Sequence, residues 1–557
     1  MSRSRPMTFA LCAVALVAAT TQVVAQESAA GTPKATASIA GRVVASNTGR
    51  PVRGATMTLL SWEVMRVAKR AATDEEGRFE FTGLVPGRYQ LSSSATGFVA
   101  VEFGGAPVTG RSGEGRPIDV REGERFDKAD FSLRRPGAIE GRLLDEFGDP
   151  APDLQVQLAT VEFVAGRHRL MPVASPMNAT DDKGHFRVAG LSPGNYFLTA
   201  PWTQDTEKQG ATAAFAPTLY PGTTELASAQ PIPVGISEDT TGITLSLVPA
   251  PMAKVSGRLV DAAGQPTVGA VMMNLSDRSG GALIVPVRTS TRADGSFTFT
   301  GVPPGTYVIQ AFGQQVSTAG NLGASEFGWA PVTVDGVDII GLTVRVRQGP
   351  AARGRIVLED DDGTLKPGQV RISGRPVEFD SAPLVGGPSP SDMRPDWTFE
   401  VRNLSGFRVL QADVASPDWA LKRIQLDGRD VTDAVHDFRE KDVERLEVVV
   451  TKRASSVGGR VTDRDGRPIG NYSIVVFASD ESRWKYPSRF IAMSRPNQDG
   501  GFLVRGLPPE DYLVVAVPPV QGTMWQDPEF LATLRGRATA VTLAEGEKQT
   551  LDLKLLR

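Results

Sequence analysis

Cysteine is almost absent from this 557-residue chain. The one cysteine, Cys12, lies in an apolar segment near the N-terminus, and no thiol follows it. The remainder of the chain therefore has no disulfide, no thiolate metal ligand and no cysteine nucleophile. Its folded part must be stabilised by buried apolar surface, which a composition of 41% apolar residues can supply.

Long apolar runs and clusters of basic residues are missing as well. After the N-terminal segment, no apolar stretch is long enough to cross a bilayer, so we expect no membrane span once that segment is removed. The formal net charge is −3. Without a basic patch, nucleic-acid binding has no electrostatic support, and we expect no nucleic-acid partner.

The N-terminus has the pattern of a secretory signal. Two arginines precede an apolar run over 9–19, and the following Val-Val-Ala ends in a small residue, Ala25. We predict that residues 1–25 are a signal peptide cut after Ala25, that 26–37 are a linker, and that the protein is secreted or periplasmic. The alternative is a retained membrane anchor, which the short apolar run disfavours.

Glycine and proline, by contrast, are abundant, with 58 and 40 copies, which indicates many turns and argues against long helices. The dipeptide Gly-Arg recurs at the start of a strand-like run, at intervals of 97 to 116 residues. This spacing is too long for a solenoid repeat and suits an independent domain. The five motif glycines are Gly41, Gly141, Gly257, Gly354 and Gly459.

Each copy continues in the same order. A Gly-x-Pro turn comes next in four copies and is followed by an alternating strand; later come a glycine turn leading to Phe, and a second turn leading to Tyr. In four copies the Phe and the Tyr are ten residues apart, while the fourth copy has a shorter turn and no Tyr. These pairs are Phe79 and Tyr89, Phe186 and Tyr196, Phe297 and Tyr307, and Phe502 and Tyr512.

Period-two strands with turn signals every 8–12 residues are typical of antiparallel β-sandwiches. We therefore predict an all-β chain: a tandem array of five antiparallel β-sandwich domains, transthyretin-like or immunoglobulin-like, after the signal peptide. Units 1 to 5 are predicted at 38–135, 136–250, 251–350, 351–452 (degenerate) and 453–557. A short helix is predicted near 528–535.

The joints between units are short and contain proline, as in 134–141 and 247–257. We expect such joints to be stiff and the units to lie in a row. A rod of five units would have a radius of gyration of about 50 Å, against about 24 Å for one compact body of this length.

Taken together, the motifs resemble the carboxypeptidase regulatory-like domain and are similar to Cna-B-type adhesin repeats. The resemblance implies a transthyretin-like sandwich within the carbohydrate-binding-like fold group. It also implies an accessory, non-catalytic role. Cna-B-type domains can form Lys–Asn isopeptide cross-links beside a buried acid, but the residues alone identify no such triad here.

Enzymatic interpretations are weak. Gly190 to Gly194 contains Gly-x-Ser-x-Gly, which could place Ser192 at a nucleophile elbow, but a strand-like segment follows instead of a helix. Ser192 also occupies a turn position of the repeat. None of the three histidines begins the His-x-x-Glu pattern of zinc carboxypeptidases. We expect no catalytic residues.

No metal or cofactor is expected either. The acidic run Glu-Asp-Asp-Asp-Gly at 359–363 could bind calcium, but it lacks the alternating ligand spacing of a calcium loop. A solvated turn explains the same residues.

Aromatic residues outside the repeat motifs are the remaining indication of a binding site. The loop at 482–489 places Trp484 and Tyr486 two residues apart, so an extended loop would present both rings on one face. We predict a ligand site at this loop, with the rings stacking on a sugar or peptide and the cations holding hydroxyls or carboxylates. The alternative is that both rings pack on their own sandwich. The predicted ligand-binding residues are Trp484, Tyr486, Arg483, Lys485 and Arg489.

Three functions remain at this stage. The first is a non-catalytic protein of the cell envelope that binds carbohydrate or peptide, with a glycan or a cell-envelope or extracellular protein as partner. The second is a structural, adhesion-like stalk or spacer without a small ligand. The third, a hydrolase or its accessory subunit, has the least support. Exposed aromatic clusters would favour the first, and uniformly buried aromatics the second.

Overall fold

The computed structural model describes residues 35–61, 66–104, 115–173, 178–201, 215–276, 287–313, 326–383, 391–416 and 418–556. The predicted signal peptide and its cut after Ala25 lie outside these residues. The described chain forms five sandwiches of two sheets each, in the predicted order. The all-β tandem array is therefore confirmed, while the domain boundaries stay a prediction. No helix in the described part is long and apolar enough to cross a membrane.

Units 1 and 2 contain the first eighteen strands. In unit 1 they are β1 (Ala37–Ala45), β2 (Thr56–Ser61), β3 (Arg66–Ala72), β4 (Arg78–Leu84), β5 (Gly87–Ser94), β6 (Val101–Glu102), β7 (Ile118–Val120), β8 (Arg125–Phe126) and β9 (Phe131–Leu133). In unit 2 they are β10 (Gly137–Leu144), β11 (Gln155–Val164), β12 (Arg167–Pro172), β13 (Asn178–Ala179), β14 (His185–Leu191), β15 (Gly194–Ala200), β16 (Thr218–Leu219), β17 (Ile232–Val234) and β18 (Asp239–Ser246).

Units 3 and 4 contain the next sixteen strands. In unit 3 they are β19 (Ala253–Val260), β20 (Gly269–Leu275), β21 (Val287–Ser290), β22 (Ser296–Val302), β23 (Gly305–Gly313), β24 (Phe327–Val334) and β25 (Ile339–Arg345). In unit 4 they are β26 (Ala352–Glu359), β27 (Val370–Pro376), β28 (Asp392–Met393), β29 (Thr398–Val401), β30 (Phe407–Val414), β31 (Ala420–Leu426), β32 (Arg429–Asp430), β33 (Val435–Asp437) and β34 (Val443–Thr451).

Unit 5 adds seven strands and the helix. They are β35 (Ser455–Thr462), β36 (Ser473–Ala478), β37 (Ile491–Ser494), β38 (Gly501–Leu507), β39 (Glu510–Val517), α1 (Pro528–Arg535), β40 (Thr539–Leu543) and β41 (Lys548–Lys554). Helix α1 confirms the helix predicted near 528–535. It begins at Pro528, whose fixed φ suits the first helical position, and the Asp527 side chain caps it by accepting the Glu529 N–H.

One sheet of each unit is built around the strand with the Gly-Arg motif. In unit 3 this strand, β19, pairs antiparallel with β22 and parallel with the closing strand β25. The parallel pairing recurs in every unit, because the first and the last strand of a unit are neighbours in this sheet and run in the same direction. In unit 1, β1 also runs parallel to the short strand β8. The pairing between the remaining strands of the described chain is antiparallel, as the alternating pattern predicts.

The motif glycine lies where a facing backbone comes too close for a side chain. A Cβ at Gly141 would stand 2.1 Å from the carbonyl oxygen of Ile243 in the closing strand and 2.8 Å from the ring of Phe186. Phe186 is also the direct cross-strand partner of Gly141. The glycine is therefore required by close packing, and the phenylalanine ring covers it. A backbone carbonyl comes equally close at Gly41, Gly257, Gly354 and Gly459.

The repeated tyrosine stabilises the turn that precedes it. The hydroxyl of Tyr307 donates a hydrogen bond of 2.9 Å to the carbonyl oxygen of Pro303, four residues earlier. Burial raises the pKa of Tyr307 well above its ordinary value, since the ring is 3% exposed. The same bond to the fourth residue before the ring is present at Tyr89, Tyr196 and Tyr512.

Unit 4 has no such tyrosine, and an arginine stabilises the corresponding turn instead. Arg408 is 1% exposed; its guanidinium donates to the carbonyl oxygens of Ser405 and Gly374, both at 2.7 Å. Desolvation lowers the pKa of this guanidinium to about 10. The turn of the degenerate unit is thus held by a buried cation instead of a phenol.

Unit 4 also differs in how its strands are shared between the two sheets. In unit 3, the strand that follows β23 is β24, which pairs with β23 along its length. In unit 4, the strand that follows β30 is β31, which pairs with β34 in the opposite sheet. That sheet therefore has six strands, in the order β28-β29-β26-β34-β31-β32, and the sheet of β30 has three.

The units do not lie in a row, so the expected rod is wrong. Arg116 of unit 1 donates to the carbonyl oxygens of Asn497 and Gln498 in unit 5, at 2.7 and 3.0 Å. Unit 5 also contacts unit 4, where Lys422 pairs with Glu545 at 2.6 Å. A short, proline-containing joint fixes the angle between two neighbouring units, but nothing requires that angle to be straight. The chain therefore folds back and brings the first and last units together.

Candidate ligand-binding surfaces

The predicted loop at 482–489 does not present two exposed rings. Trp484 is 3% exposed, and its indole N–H donates to the carbonyl oxygen of Ala478 at 2.7 Å. Its ring packs edge-on against Phe477. Glu481–Trp484 forms a 3-10 turn, so the extended geometry assumed from the sequence is wrong and Trp484 turns into the core. Lys485 is exposed beside it.

Two cations of this loop bind partners within the protein. Arg483 lies over the ring of Phe490, 4.6 Å from its centre, and 3.5 Å from a carboxylate oxygen of Glu510. Arg489 lies over the same ring and pairs with Asp433 of unit 4 at 3.0 Å. The pair of Arg489 with Asp433 joins unit 5 to unit 4, while the contacts of Arg483 stay within unit 5; together they hold both guanidinium groups in place. The assignment of the five loop residues to a ligand is untested and stays a prediction.

Tyr486 packs towards unit 2. A Cβ on Gly166 of that unit would lie 3.4 Å from the Cβ of Tyr486, and burial raises the pKa of the tyrosine. Trp484, Tyr486 and Gln526 line a cavity of about 270 Å³ together with residues of units 2 and 4. The loop therefore borders a small cavity between units and not an open aromatic surface.

Ser192 lies in a strand–turn–strand arrangement. Its carbonyl oxygen accepts the hydroxyl of Tyr196 at 2.6 Å, and β15 begins two residues after it. A nucleophile elbow needs a helix at this point. The Gly-x-Ser-x-Gly match is therefore the repeated tyrosine turn.

The acidic run at 359–363 is occupied by ion pairs with lysine and arginine. Glu359 pairs with Lys422 at 2.8 Å, and Asp362 pairs with Lys452. The lysine ammonium lowers the pKa of Glu359 to about 2. Because cationic side chains neutralise these carboxylates, the run resembles an ion-pair network more than a calcium loop.

Unit 4 has an open sheet edge that the repeat pattern of the sequence does not predict. Because β31 has moved to the other sheet, β30 has a partner on its outer side only where Phe407–Val409 pairs with β33. Among the described residues, no strand pairs with the outer side of 410–414. The one sign of this edge in the sequence is the incomplete repeat pattern of unit 4. That pattern indicates that unit 4 departs from the common topology, but it does not show which strand changes sheet.

The hydrogen bonds on the inner side show which groups point outwards. The N–H of Val377 donates to the carbonyl oxygen of Phe407, and the N–H of Ala415 donates to that of Gln369, so the odd-numbered residues face β27. In an antiparallel ladder the direction alternates from one residue to the next. The backbone groups that point to the open side therefore belong to Leu410, Ala412 and Val414.

This open edge faces a groove of about 1330 Å³ between units 1, 4 and 5. Residues 410–416 form one wall, and Gln498 and Arg505 of unit 5 contribute to another. Side chains of both charges line it, including Arg121, Arg371, Asp413 and Asp499. The groove thus combines backbone groups that no described strand pairs with and walls of mixed charge.

A second surface contains an exposed tryptophan. Trp329, on the edge strand β24, is 38% exposed and borders a cleft of about 870 Å³ between units 3 and 4. Arg345 and Asp437 line the same cleft. Of the tryptophans in the described residues, Trp419 and Trp484 are buried and Trp397 and Trp525 are half-buried. The sequence pattern does not distinguish Trp329 from the other tryptophans, because its exposure depends on its place in β24.

Comparison with known proteins supports the motif-based resemblance. The family model of the carboxypeptidase regulatory-like domain matches residues 38–132 and 254–352, in units 1 and 3. Units 1 and 3 are thus carboxypeptidase regulatory-like domains. No curated protein matches the chain in sequence.

Solved structures of pilins and adhesin repeats are similar at a low level. The minor pilin GBS52 of Streptococcus agalactiae is 14% identical, with 39% of this chain and 97% of that chain covered and a TM-score of 0.23. The B repeats of the collagen-binding protein of Staphylococcus aureus are 12% identical, with 75% and 100% covered and a TM-score of 0.12. These scores are too low to support an inference about function.

Proposed function

We propose that this chain is an exported, non-catalytic binding protein of the cell envelope that holds a peptide in extended form at the open edge of β30. The observation that carries the proposal is the unpaired outer side of 410–414 in the groove between units 1, 4 and 5. Export rests on the signal pattern of residues 1–25. The non-catalytic role rests on the domain family and on the structural explanation of the Ser192 motif.

A peptide fits this edge better than other ligands do. The half-buried residues Ala412 and Val414 present N–H and carbonyl groups two residues apart, which is the spacing of a neighbouring strand, whereas Leu410 beside them is buried. An added strand would satisfy these groups in the way that β24 does for β23 in unit 3. The walls of the groove carry both positive and negative side chains. The backbone hydrogen bonds would therefore supply most of the affinity for a peptide, and the side chains would add a modest selectivity.

Ala412→Pro is the direct test of this edge. The substitution removes the N–H that points to the groove and leaves the hydrogen bonds to β27 intact, since proline is tolerated on an edge strand. Binding to a library of extended peptides should fall by about tenfold or more, because a ladder hydrogen bond is lost and the ring obstructs the edge. The matched control, Ala412→Ser, keeps the N–H and should bind as the wild type does.

Hydrogen exchange provides an independent test of the same proposal. The amide of Ala412 should exchange quickly in the free protein and slowly with peptide present, while that of Gln411 should be protected in both. Equal peptide binding by Ala412→Pro and the wild type, or no protection of Ala412, would contradict the proposal. If Ala412→Pro lowers the melting temperature, its binding data would not be used, and hydrogen exchange of the wild-type protein would test the proposal instead.

Carbohydrate binding at the cleft of Trp329 is the second candidate. An exposed indole beside an arginine and an aspartate is the kind of surface on which sugar rings stack. Retention on a polysaccharide array should be lost in Trp329→Ala at unchanged melting temperature. Retention equal to that of the wild type would exclude this cleft.

A further inference from the structure

Three side chains with metal-binding atoms meet where unit 2 contacts unit 5. His168 in β12 places its Nε2 3.0 Å from Oδ2 of Asp527, the residue that caps α1. The carboxylate of Glu529, in the first turn of α1, completes the group; one ligand atom from each residue lies within 4.8 Å of the other two. The donor set therefore contains one imidazole nitrogen and two carboxylate oxygens, contributed by two separate units.

The electrostatics of this group favour a cation. The Asp527 side chain is 4% exposed, and Glu529 brings a second negative charge close to it. Within the described residues, neither carboxylate is paired with an arginine or a lysine; the one ion-pair partner of Asp527 is His168. A buried carboxylate beside another carboxylate is costly unless positive charge lies between them.

The geometry suits a small divalent metal. Two ligands of a tetrahedral zinc ion, each about 2.1 Å from the metal, lie about 3.4 Å apart. Nε2 and Oδ2 are 3.0 Å apart, so a small outward shift of the two side chains would admit the ion. The imidazole packs edge-on against Phe163, with ring centres 5.5 Å apart, which limits its rotation. Oδ1 of Asp527 is held by the N–H of Glu529, which leaves Oδ2 directed at His168. Glu529 is exposed and can rotate to close the site.

We propose that His168, Asp527 and Glu529 bind a zinc ion that joins unit 2 to unit 5, with water as the fourth ligand. Mixed nitrogen and oxygen ligands suit zinc better than calcium or magnesium, which prefer oxygen alone. His168 and Asp527 are 359 residues apart in the sequence. A metal ion bound to both would therefore stabilise the folded-back arrangement of the units. This site is separate from the groove of the proposed function.

The test uses the untagged chain and zinc ions alone. Isothermal titration should show one zinc per chain, and zinc should raise the melting temperature, because a ligand that binds only the folded state stabilises it. His168→Ala and Glu529→Gln should each weaken zinc binding by about tenfold or more. Cobalt(II) should give visible d–d absorption in the wild type and not in His168→Ala, a signal that a merely structural role of the histidine would not produce.

The matched control is His185→Ala. His185 also lies beside a carboxylate, with its Nδ1 3.3 Å from Asp181, but it belongs to no three-residue group among the described residues. Its removal should leave zinc affinity unchanged. Absence of zinc uptake by the wild type, unchanged affinity in both site variants, or an equal loss in His185→Ala would each overturn the proposal. Glu529 is exposed, so Glu529→Gln keeps the test decisive if His168→Ala folds poorly.

Discussion

At the residue scale, the repeated tyrosine combines two stabilising roles. The ring of Tyr307 fills the core between the two sheets of unit 3, and its hydroxyl satisfies the carbonyl of Pro303 in the preceding turn. A phenol suits both tasks because one end is apolar and the other can donate a hydrogen bond. In unit 4, Arg408 achieves the second task alone, and its buried charge pairs with carbonyl dipoles instead of an acid.

Truncation of Tyr307 should separate these roles. Tyr307→Ala should cost about 3–5 kcal/mol of unfolding free energy, as large aromatic truncations in cores do. Tyr307→Phe keeps the ring and removes the hydroxyl, so it should cost about 1 kcal/mol. Hydrogen exchange of the full chain, analysed peptide by peptide, should show the loss in unit 3 alone. A negligible loss in Tyr307→Ala would show that the ring is not part of the core.

At the element scale, one glycine determines whether the closing strand can lie beside the first. The Cα hydrogen of Gly141 faces the carbonyl of Ile243, so the parallel pair β10 and β18 tolerates no side chain there. The partner is the backbone of β18, which pairs with β10 along this stretch and cannot move away without breaking that pairing. The same constraint explains why the glycine of the Gly-Arg motif recurs in all five units.

Alanine at this glycine should therefore be far more damaging than alanine elsewhere in unit 2. Gly141→Ala should destabilise the unit by about 3 kcal/mol or more, because the overlap forces a backbone shift. The matched control is Gly194→Ala, where the added Cβ would meet only the ring of Tyr196 at an ordinary distance of 3.7 Å. Denaturant unfolding followed by circular dichroism would compare the two. Similar midpoints would refute the close-packing explanation.

At the scale of the whole molecule, unit 5 contacts three of the other four units. It contacts unit 1 through Arg116 and Gln498, unit 2 through His168 and Asp527, and unit 4 through Lys422. Arg116 is partly buried in its contact, and desolvation lowers the pKa of its guanidinium. The groove with the open edge of β30 exists because these contacts bring units 1 and 5 together beside unit 4.

The folded-back arrangement predicts a small radius of gyration. Small-angle scattering should give a value well below the figure of about 50 Å for a rod and nearer the figure of about 24 Å for a compact chain. The double variant Arg116→Ala, Gln498→Ala removes the hydrogen bonds between units 1 and 5 and should increase the radius. A wild-type value near 50 Å would show that the units lie in a row in solution.

The repeated unit could be predicted from the amino-acid sequence. Gly-x-Pro turns, glycine hairpins ending in Phe, and alternating strands act between residues that are close along the chain, so their pattern was readable and predicted five sandwiches. It also indicated that unit 4 departs from the others, since the tyrosine and two turn residues are missing there. Trp484 and Tyr486 were singled out by composition, but their orientation depended on a 3-10 turn that the sequence pattern did not reveal.

The tertiary structure alone decided the features that could give the protein its function. The transfer of β31 to the opposite sheet, the exposure of Trp329 and the meeting of His168 with Asp527 depend on packing between residues far apart in sequence. Local turn chemistry and side-chain alternation carry no information about which sheet edge stays unpaired or how one unit is oriented against another. Those outcomes follow from the angle at each short joint and from the fit between side chains of different units.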